Sequence, residues 1–246
     1  MIKFSHVYFQ YVKEYFLLYD FNCEISNSTL FIGDFFDGTV AIMRTLSRID
    51  KDYSGEVFVD NINLKNIKDK DLPIVYLPQT PVLFKNKNIF KNLYFPLKIR
   101  KINKKSAKNL FYSIFLELKN KNFNFLNNYL YNKNNQLINK ESKVNKEIKN
   151  SLFNNLLKIK VKKLTISEQK IITLIRAVVR QPKYILLENF FENLDESFIP
   201  LAEYLINQLK ETSTILACEK DERSLDIFED FNIRNLSVTD KEKKED

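Results

Sequence analysis

Three glycines in 246 residues, where average usage would place about 17, leave almost no room for glycine-dependent loops. Two of the three, Gly33 and Gly38, stand five positions apart. A mechanism that needs several separate glycine-rich loops is excluded, and attention falls on this one cluster. Before it lies the short apolar run STLFI (28–32). After it, VAIMRTLSRI places Val40, Met43 and Leu46 on one helical face. The segment is therefore expected to run strand, glycine loop, helix. Elsewhere, IKFSHVYFQYV and residues 16–25 alternate as half-buried strands, and residues 56–59 and 73–77 add extended segments. A helix over 167–180 leads to the apolar run 184–187, a helix over 198–210 to the run 214–218, and a last helix and strand close the chain. Continuous apolar runs alternating with helices predict an α/β fold with a mainly parallel sheet core. The early strands are expected as an antiparallel β subdomain, and the material between them and the second half as a helical subdomain.

Composition narrows the class. Hydrophobic residues make up 44% of the chain, enough for a sizeable core, yet no apolar run approaches the roughly 18 residues that cross a bilayer. Two cysteines, Cys23 and Cys218, are too few for a disulfide framework. The opening MIKFSHVYF lacks a secretory h-region, so a reducing cytoplasmic setting is expected. With His6 the one histidine, a mechanism needing two is excluded. The net charge of +8 is uneven. Residues 98–163 hold 17 Lys and Arg against three Glu, a local +14, while the remainder, with 22 basic and 28 acidic residues, carries −6. A charge run of this kind is most often a solvated face, here a basic, Asn-rich helical insertion. Its interleaved Lys, Phe and Tyr leave open an anionic membrane surface or single-stranded nucleic acid, of which nucleic acid is not expected. The closing KEKKED is expected to be a frayed tail.

The glycine pair fits the frame of a phosphate loop, G-x-x-x-x-G-K-[ST] between a strand and a helix. In that loop backbone N–H groups cradle phosphate, Lys neutralises it and a hydroxyl holds Mg²⁺. Here it runs Gly33, Asp34, Phe35, Phe36, Asp37, Gly38, Thr39, Val40. The glycines are in register, but Thr39 stands at the Lys position and Val40 at the hydroxyl position.

Downstream segments extend the match. SGEVFVDNINL is similar to a strand motif S-G-x-[IV]-x-[VL]-[DN]-G-x-[DN]-[IL]. IVYLPQTPVLF places Gln79 just after a strand. LTISEQKIITLIRAVVRQPKYILLENFFENLD follows L-S-G-G-E-Q-Q-R in its opening and D-E-P-T-G-N-L-D at its end, with Leu164, Glu168, Gln169, Arg176, Ala177, Pro182, Lys183, Asn193, Leu194 and Asp195 unaltered. In this order and spacing the chain resembles the nucleotide-binding subunits of ABC transporters over nearly its whole length. The resemblance implies a P-loop NTPase (RecA-like) core formed by 1–97 and 164–246, with 98–163 as helical subdomain. It implies ATP and Mg²⁺ as ligands, Tyr11 as adenine platform, and Gln79 and Glu188 as candidate Mg²⁺ contacts. The signature falls at Leu164, Thr165, Ile166, Ser167 and Glu168, and the D-loop at Asn193, Leu194 and Asp195. The implied partners are an integral membrane subunit received near Gln79 and a second ATP-binding chain, identical or different, at the inner face of the membrane. The N-L-D ending and compact length look most like the subgroup serving cell division, lipoprotein release and macrolide export.

The departures point at hydrolysis. The signature Gly-Gly is Ile166-Ser167, the Walker B aspartate position is Glu188, the catalytic glutamate position is Asn189, and Glu219 or Cys218 stands where a switch histidine would. Losing one preorganised electrostatic group can cost on the order of 10²–10³ in rate, and several are missing together. The expectation is a pseudo-ATPase that keeps the fold, with a divergent active ATPase as the alternative. Plainer roles stay open. Tyr11 could be a packed strand aromatic, Gln79 a polar loop residue, Thr39 a cap for the helix after the loop, Asp195 a cap for a helix at Glu196, and Cys218 a buried small hydrophobe.

Overall fold

The computed structural model of the chain describes residues 1–12, 15–32, 38–123, 153–219 and 226–236, with the backbone alone at 11, 12, 15, 16 and 235. These form two compact units. One comprises residues 1–80, 181–192 and 206–246, and the other 81–180 and 193–205.

The first unit contains two sheets. In the antiparallel sheet, β1 (Ile2–Val12) pairs with β2 (Tyr15–Ile25) on one side and β4 (Tyr53–Val59) on the other, and β4 continues into the two-residue β5 (Ile62–Asn63). In the second sheet β6 (Ile74–Leu77), β7 (Tyr184–Glu188), β8 (Thr214–Cys218), β3 (Thr29–Ile32) and β9 (Asn232–Asn235) lie in that order, every pairing parallel. The expected antiparallel start and parallel core are thus both present. Tyr184, Ile185, Leu186 and Leu187 are all buried, as a strand covered on both faces requires. Helix α1 (Thr39–Leu46) turns Ala41, Ile42, Met43 and Leu46 into a core with Phe31, Leu186 and Leu216 from the parallel sheet and Ile2, Phe4, Val57 and Val59 from the antiparallel one. Each such fully buried side chain contributes about 1.5–3 kcal/mol. The closing helix expected before β9 falls largely outside the described residues, which omit 220–225, and the described residues 226–228 form a single 3₁₀ turn. In the described part of this segment Phe228 and Phe231 are buried.

The second unit is helical, with α2 (Ile89–Ile99), α3 (Lys104–Asn120), α4 (Ile166–Arg180) and the start of α5 (Ile199–Lys210). Helices α2 and α4 pack on one another, burying Ile89, Leu93 and Leu97 with Ile171, Leu174 and Ile175. Residues 124–152, in the Asn-rich stretch, fall outside the described residues.

Glycine scarcity shows directly in the backbone. Helix α1 ends with Arg48 at φ 60°, its N–H on the Thr45 carbonyl (2.9 Å) and that of Ile49 on Arg44 (3.0 Å). Lys101 (φ 60°) ends α2 in the same way, with Ile102 bonded back to Leu97 (3.0 Å), and Asn122 (φ 62°) ends α3 with Phe123 bonded back to Leu118 (2.9 Å). This double-bonded, left-handed closing turn is ordinarily given to glycine. Between β4 and β5 both turn residues, Asp60 (φ 52°) and Asn61 (φ 64°), are left-handed, as a two-residue hairpin demands.

Candidate functional site

The glycine loop is described only at its Gly38 end. Gly33, Asp34, Phe35, Phe36 and Asp37 lie outside the described residues, as does the side chain of Tyr11. Gly38 has φ 88°, and its carbonyl accepts from Ile42 N–H (3.0 Å). A Cβ here would strike the Leu17 carbonyl oxygen and sit 2.7 Å from Leu18 Cδ2, so strand β2 closes on this turn as only glycine permits. Gly38 is the N-cap, α1 has no side-chain cap, and Thr39 is the first helical residue, fully buried. Val40 beside it is also buried and has no oxygen to offer a cation.

The ends of β7 and β8 carry three acidic or amide groups. The Tyr76 hydroxyl, on neighbouring β6, donates to Glu188. Burial raises the Glu188 pKa and Arg44 opposes it. Arg44 is itself forked onto Asp50 at 2.6 and 3.0 Å. Asn189 is left-handed (φ 43°) and buried, with its N–H on the Cys218 carbonyl (2.7 Å). Its Oδ1 has no hydrogen-bond partner among the described residues. Glu219, buried, accepts from the backbone N–H of Phe190 (2.5 Å) and of Phe191 (3.3 Å). Those two rings are buried in an aromatic cluster, with Phe191 6.1 Å from Phe228 and Phe228 5.0 Å from Phe231. The buried-hydrophobe reading of Cys218 agrees with its 1% exposure. Gln79 is half-buried in the bend after β6.

In the helical unit, the segment from Leu164 to Glu168 folds onto itself. Thr165 Oγ1 accepts from Glu168 N–H (3.2 Å) while the Glu168 carboxylate accepts from Thr165 N–H (2.8 Å), the reciprocal pair of a capping box. Gln169 donates to the Leu164 carbonyl (2.9 Å). Ser167 is buried and accepts from Asp195 N–H (3.0 Å), while Ile166 is half exposed. Asn193 (φ 57°) and buried Leu194 lead into that contact. Asp195 stands at the cap of the 3₁₀ turn Glu196–Phe198, but its side chain makes no capping bond. The capping role open to it is therefore not taken, and its N–H is what the structure uses.

The same unit presents an apolar face that the sequence did not signal. Asn92, fully buried, accepts from Phe84 N–H (2.8 Å) and donates to the carbonyls of Phe84 (3.2 Å) and Asn88 (3.0 Å). Arg176 donates to the Val82 carbonyl (2.9 Å); burial, and then neighbouring Arg180, bring its pKa down to about 10. These clamps fix a loop whose Val82 and Phe84 stay exposed, with the Phe84 ring edge-on to exposed Phe95 at 5.1 Å. A buried amide holding a loop by three bonds has no periodic signature, so residue patterns alone do not reveal it.

Comparison with known proteins places this arrangement. The model of the family described as ABC transporter matches residues 21–191. The molybdate/tungstate import ATP-binding protein WtpC of Methanocaldococcus jannaschii is 27% identical over 179 residues, which are 72% of this chain and 48% of that protein. The WtpC of Thermococcus kodakarensis is 23% identical over 191 residues, 77% of this chain and 47% of that protein. The methionine import ATP-binding protein MetN of Helicobacter hepaticus is 30% identical over 115 residues, 44% of this chain and 33% of that protein. The chain thus spans about half or less of the length of these curated relatives. Among solved structures, an ATP-binding cassette dimer in a post-hydrolysis state with ADP and Pi matches with a TM-score of 0.61 at 17% identity, covering 92% of this chain and 90% of that one. A bacterial Atm1-family ABC exporter with ATP bound matches at 0.67 and 16%, covering 96% of this chain and 36% of that one. The fold is that of the ABC ATPase domain. Among the described residues no helix is long and apolar enough to cross a membrane.

Proposed function

The chain belongs to the ABC transporter family, as an ATP-binding domain, and from that premise we propose that it acts as a transporter subunit that pairs with a membrane protein while hydrolysing ATP weakly or not at all. The observation that carries this reading is that the carboxylates at the Walker B and switch positions, and the signature segment, are engaged within the fold. Glu188 is bonded by Tyr76, Glu219 holds the N–H groups of Phe190 and Phe191, and Thr165 and Glu168 cap their own helix. Thr39 brings no cation to a phosphate, and Asn189 cannot take a proton from water. With Val40 offering no oxygen, the donors that remain are a Glu188 already hydrogen-bonded and the neutral amide of Gln79, a set too poor in carboxylate to fit Mg²⁺ well.

The clamped Val82, Phe84 and Phe95 face, beside the Gln79 loop in sequence, supports docking of the membrane subunit there. A second ATP-binding chain, identical or different, completes the pair at the inner face of the membrane. Because the three curated relatives named above are import ATP-binding proteins, we group the chain with importer-type subunits in place of the cell-division, lipoprotein-release and macrolide-export subgroup.

Calorimetry of Mg·ATP binding tests this reading. The native chain is expected to bind at least tenfold more weakly than the double variant Thr39→Lys, Val40→Ser. Multiple turnover by the native chain, or binding as tight as the variant's, would overturn it. One observation favours a slow ATPase instead, the retained Glu188 carboxyl with its raised pKa. Turnover abolished by Glu188→Gln would be its mark.

A further inference from the structure

The corner between α2 and α3 carries a charge pattern that nothing in the fold accounts for. Residues 98–106 are all exposed, and they include Lys98, Arg100, Lys101, Lys104 and Lys105, with exposed Lys108 one turn on. Between Asp71 and Glu117 there is no acidic residue. Arg100 donates to the Arg180 carbonyl (2.9 Å). Lys98, Lys101, Lys104, Lys105 and Lys108 form no ion pair with any described residue. Lys98 and Lys101 sit at a helix C-terminus, where the macrodipole welcomes a cation. Lys104 and Lys105 open α3, in a first turn without acids, where the macrodipole repels one. The intramolecular field therefore disfavours part of this cluster, and only an external anion reverses the sign.

Ile99 and Ile102, exposed at 60% and 40%, project from the same corner. They are held by the left-handed turn at Lys101 and by the Asn103 side chain, which accepts from Ser106 N–H at 2.9 Å. We propose that this corner binds an anionic lipid surface, the lysines meeting headgroups and Ile99 and Ile102 entering the acyl boundary. Cations flanking aliphatic side chains are what an interfacial site requires. A single-stranded nucleic acid would call for open stacking platforms; no aromatic side chain occurs between Lys98 and Leu110, and Tyr94, whose hydroxyl donates to the Ile102 carbonyl (3.0 Å), already stacks on Phe90.

The test is co-sedimentation of the full chain with large vesicles of phosphatidylcholine alone or with phosphatidylserine added, beside a single-stranded oligonucleotide titration. Neither nucleotide nor membrane subunit is present, so failure here leaves the proposed transporter role standing, and failure of that role leaves this site standing. The native chain is expected to partition onto phosphatidylserine vesicles and not onto phosphatidylcholine alone, with binding that falls as salt rises. Lys101→Gln, Lys104→Gln, Lys105→Gln together should lower partitioning by about tenfold or more, and Ile99→Ser, Ile102→Ser should lower it by about threefold or more. Unchanged circular dichroism and thermal unfolding in both variants would assign the loss to the surface. Equal binding to both vesicle types, binding to neither, a triple variant that binds like the native chain, or oligonucleotide binding tighter than vesicle binding would overturn the proposal.

Discussion

Two kinds of left-handed turn coexist in this chain, and they differ in what stands beside them. At Gly38 and Gly55 the backbone is left-handed and a Cβ would collide with another strand's backbone, the Leu17 carbonyl in one case and the His6 carbonyl in the other. At Arg48, Lys101 and Asn122 the backbone is equally left-handed, yet ordinary side chains are accommodated at helix ends. The difference separates two costs that are often merged. Conformational strain alone amounts to about 1–2 kcal/mol per residue and can be carried, whereas a steric conflict with a fixed neighbouring backbone cannot. A chain with three glycines places the two described ones where both costs apply.

That contrast can be broken, and the largest effect is expected at Gly38. Gly38→Ala should lose about 2–3 kcal/mol in chemical denaturation, and a loss below about 0.5 kcal/mol would show that β2 moves aside. On either side of Ile166 and Ser167, where the family has Gly-Gly, Thr165 and Glu168 open the helix through their own side chains. Thr165→Ala should cost about 1 kcal/mol by removing half of the capping box, which the same denaturation midpoint would report. The opposite sign is expected at Lys101→Gly, a gain of about 0.5–1 kcal/mol from relieved strain, less the added freedom of the unfolded chain. A loss there would place Lys101 among the positions whose side chain matters to the fold.

The smallest effect concerns the β4–β5 turn. Burial acts to raise the Asp60 pKa, but hydrogen bonds from Lys183 (2.7 Å) and Tyr184 (2.7 Å) overcome it and hold the carboxyl down at about 2. A depressed carboxyl stabilises the fold above its unfolded value, and that contribution is lost as pH falls from about 4 toward 2. Comparing melting temperatures across that window, the native chain should lose a few tenths of a kcal/mol relative to Asp60→Asn, a small figure because the group is partly exposed and screened.

The parallel core was legible because strands covered on both faces leave unbroken apolar runs, as at Tyr184 to Leu187. The short β5 carries no such run and went unseen. In the candidate site, the motif spacing located Glu188, Asn189, Glu219 and the Leu164–Glu168 segment, but not what they touch. Tyr76 and Glu188 meet across 112 positions and Glu219 and Phe190 across 29, and no periodicity encodes such pairs. Thr165 and Glu168 are different. Their three-residue spacing is a helix-start signal in its own right, hidden because the same residues also match the signature motif.

The Glu219 carboxylate has a kinetic corollary. By holding two successive amides of the loop after β7 from the end of β8, it fastens together two strand ends that are already hydrogen-bonded neighbours, Glu188 opposite Cys218. Neither end can fray alone. The amide protons of Phe190 and Phe191 should exchange with solvent deuterium at the slow rate of the central strands, as part of one opening event, rather than at the fast rate usual for a loop.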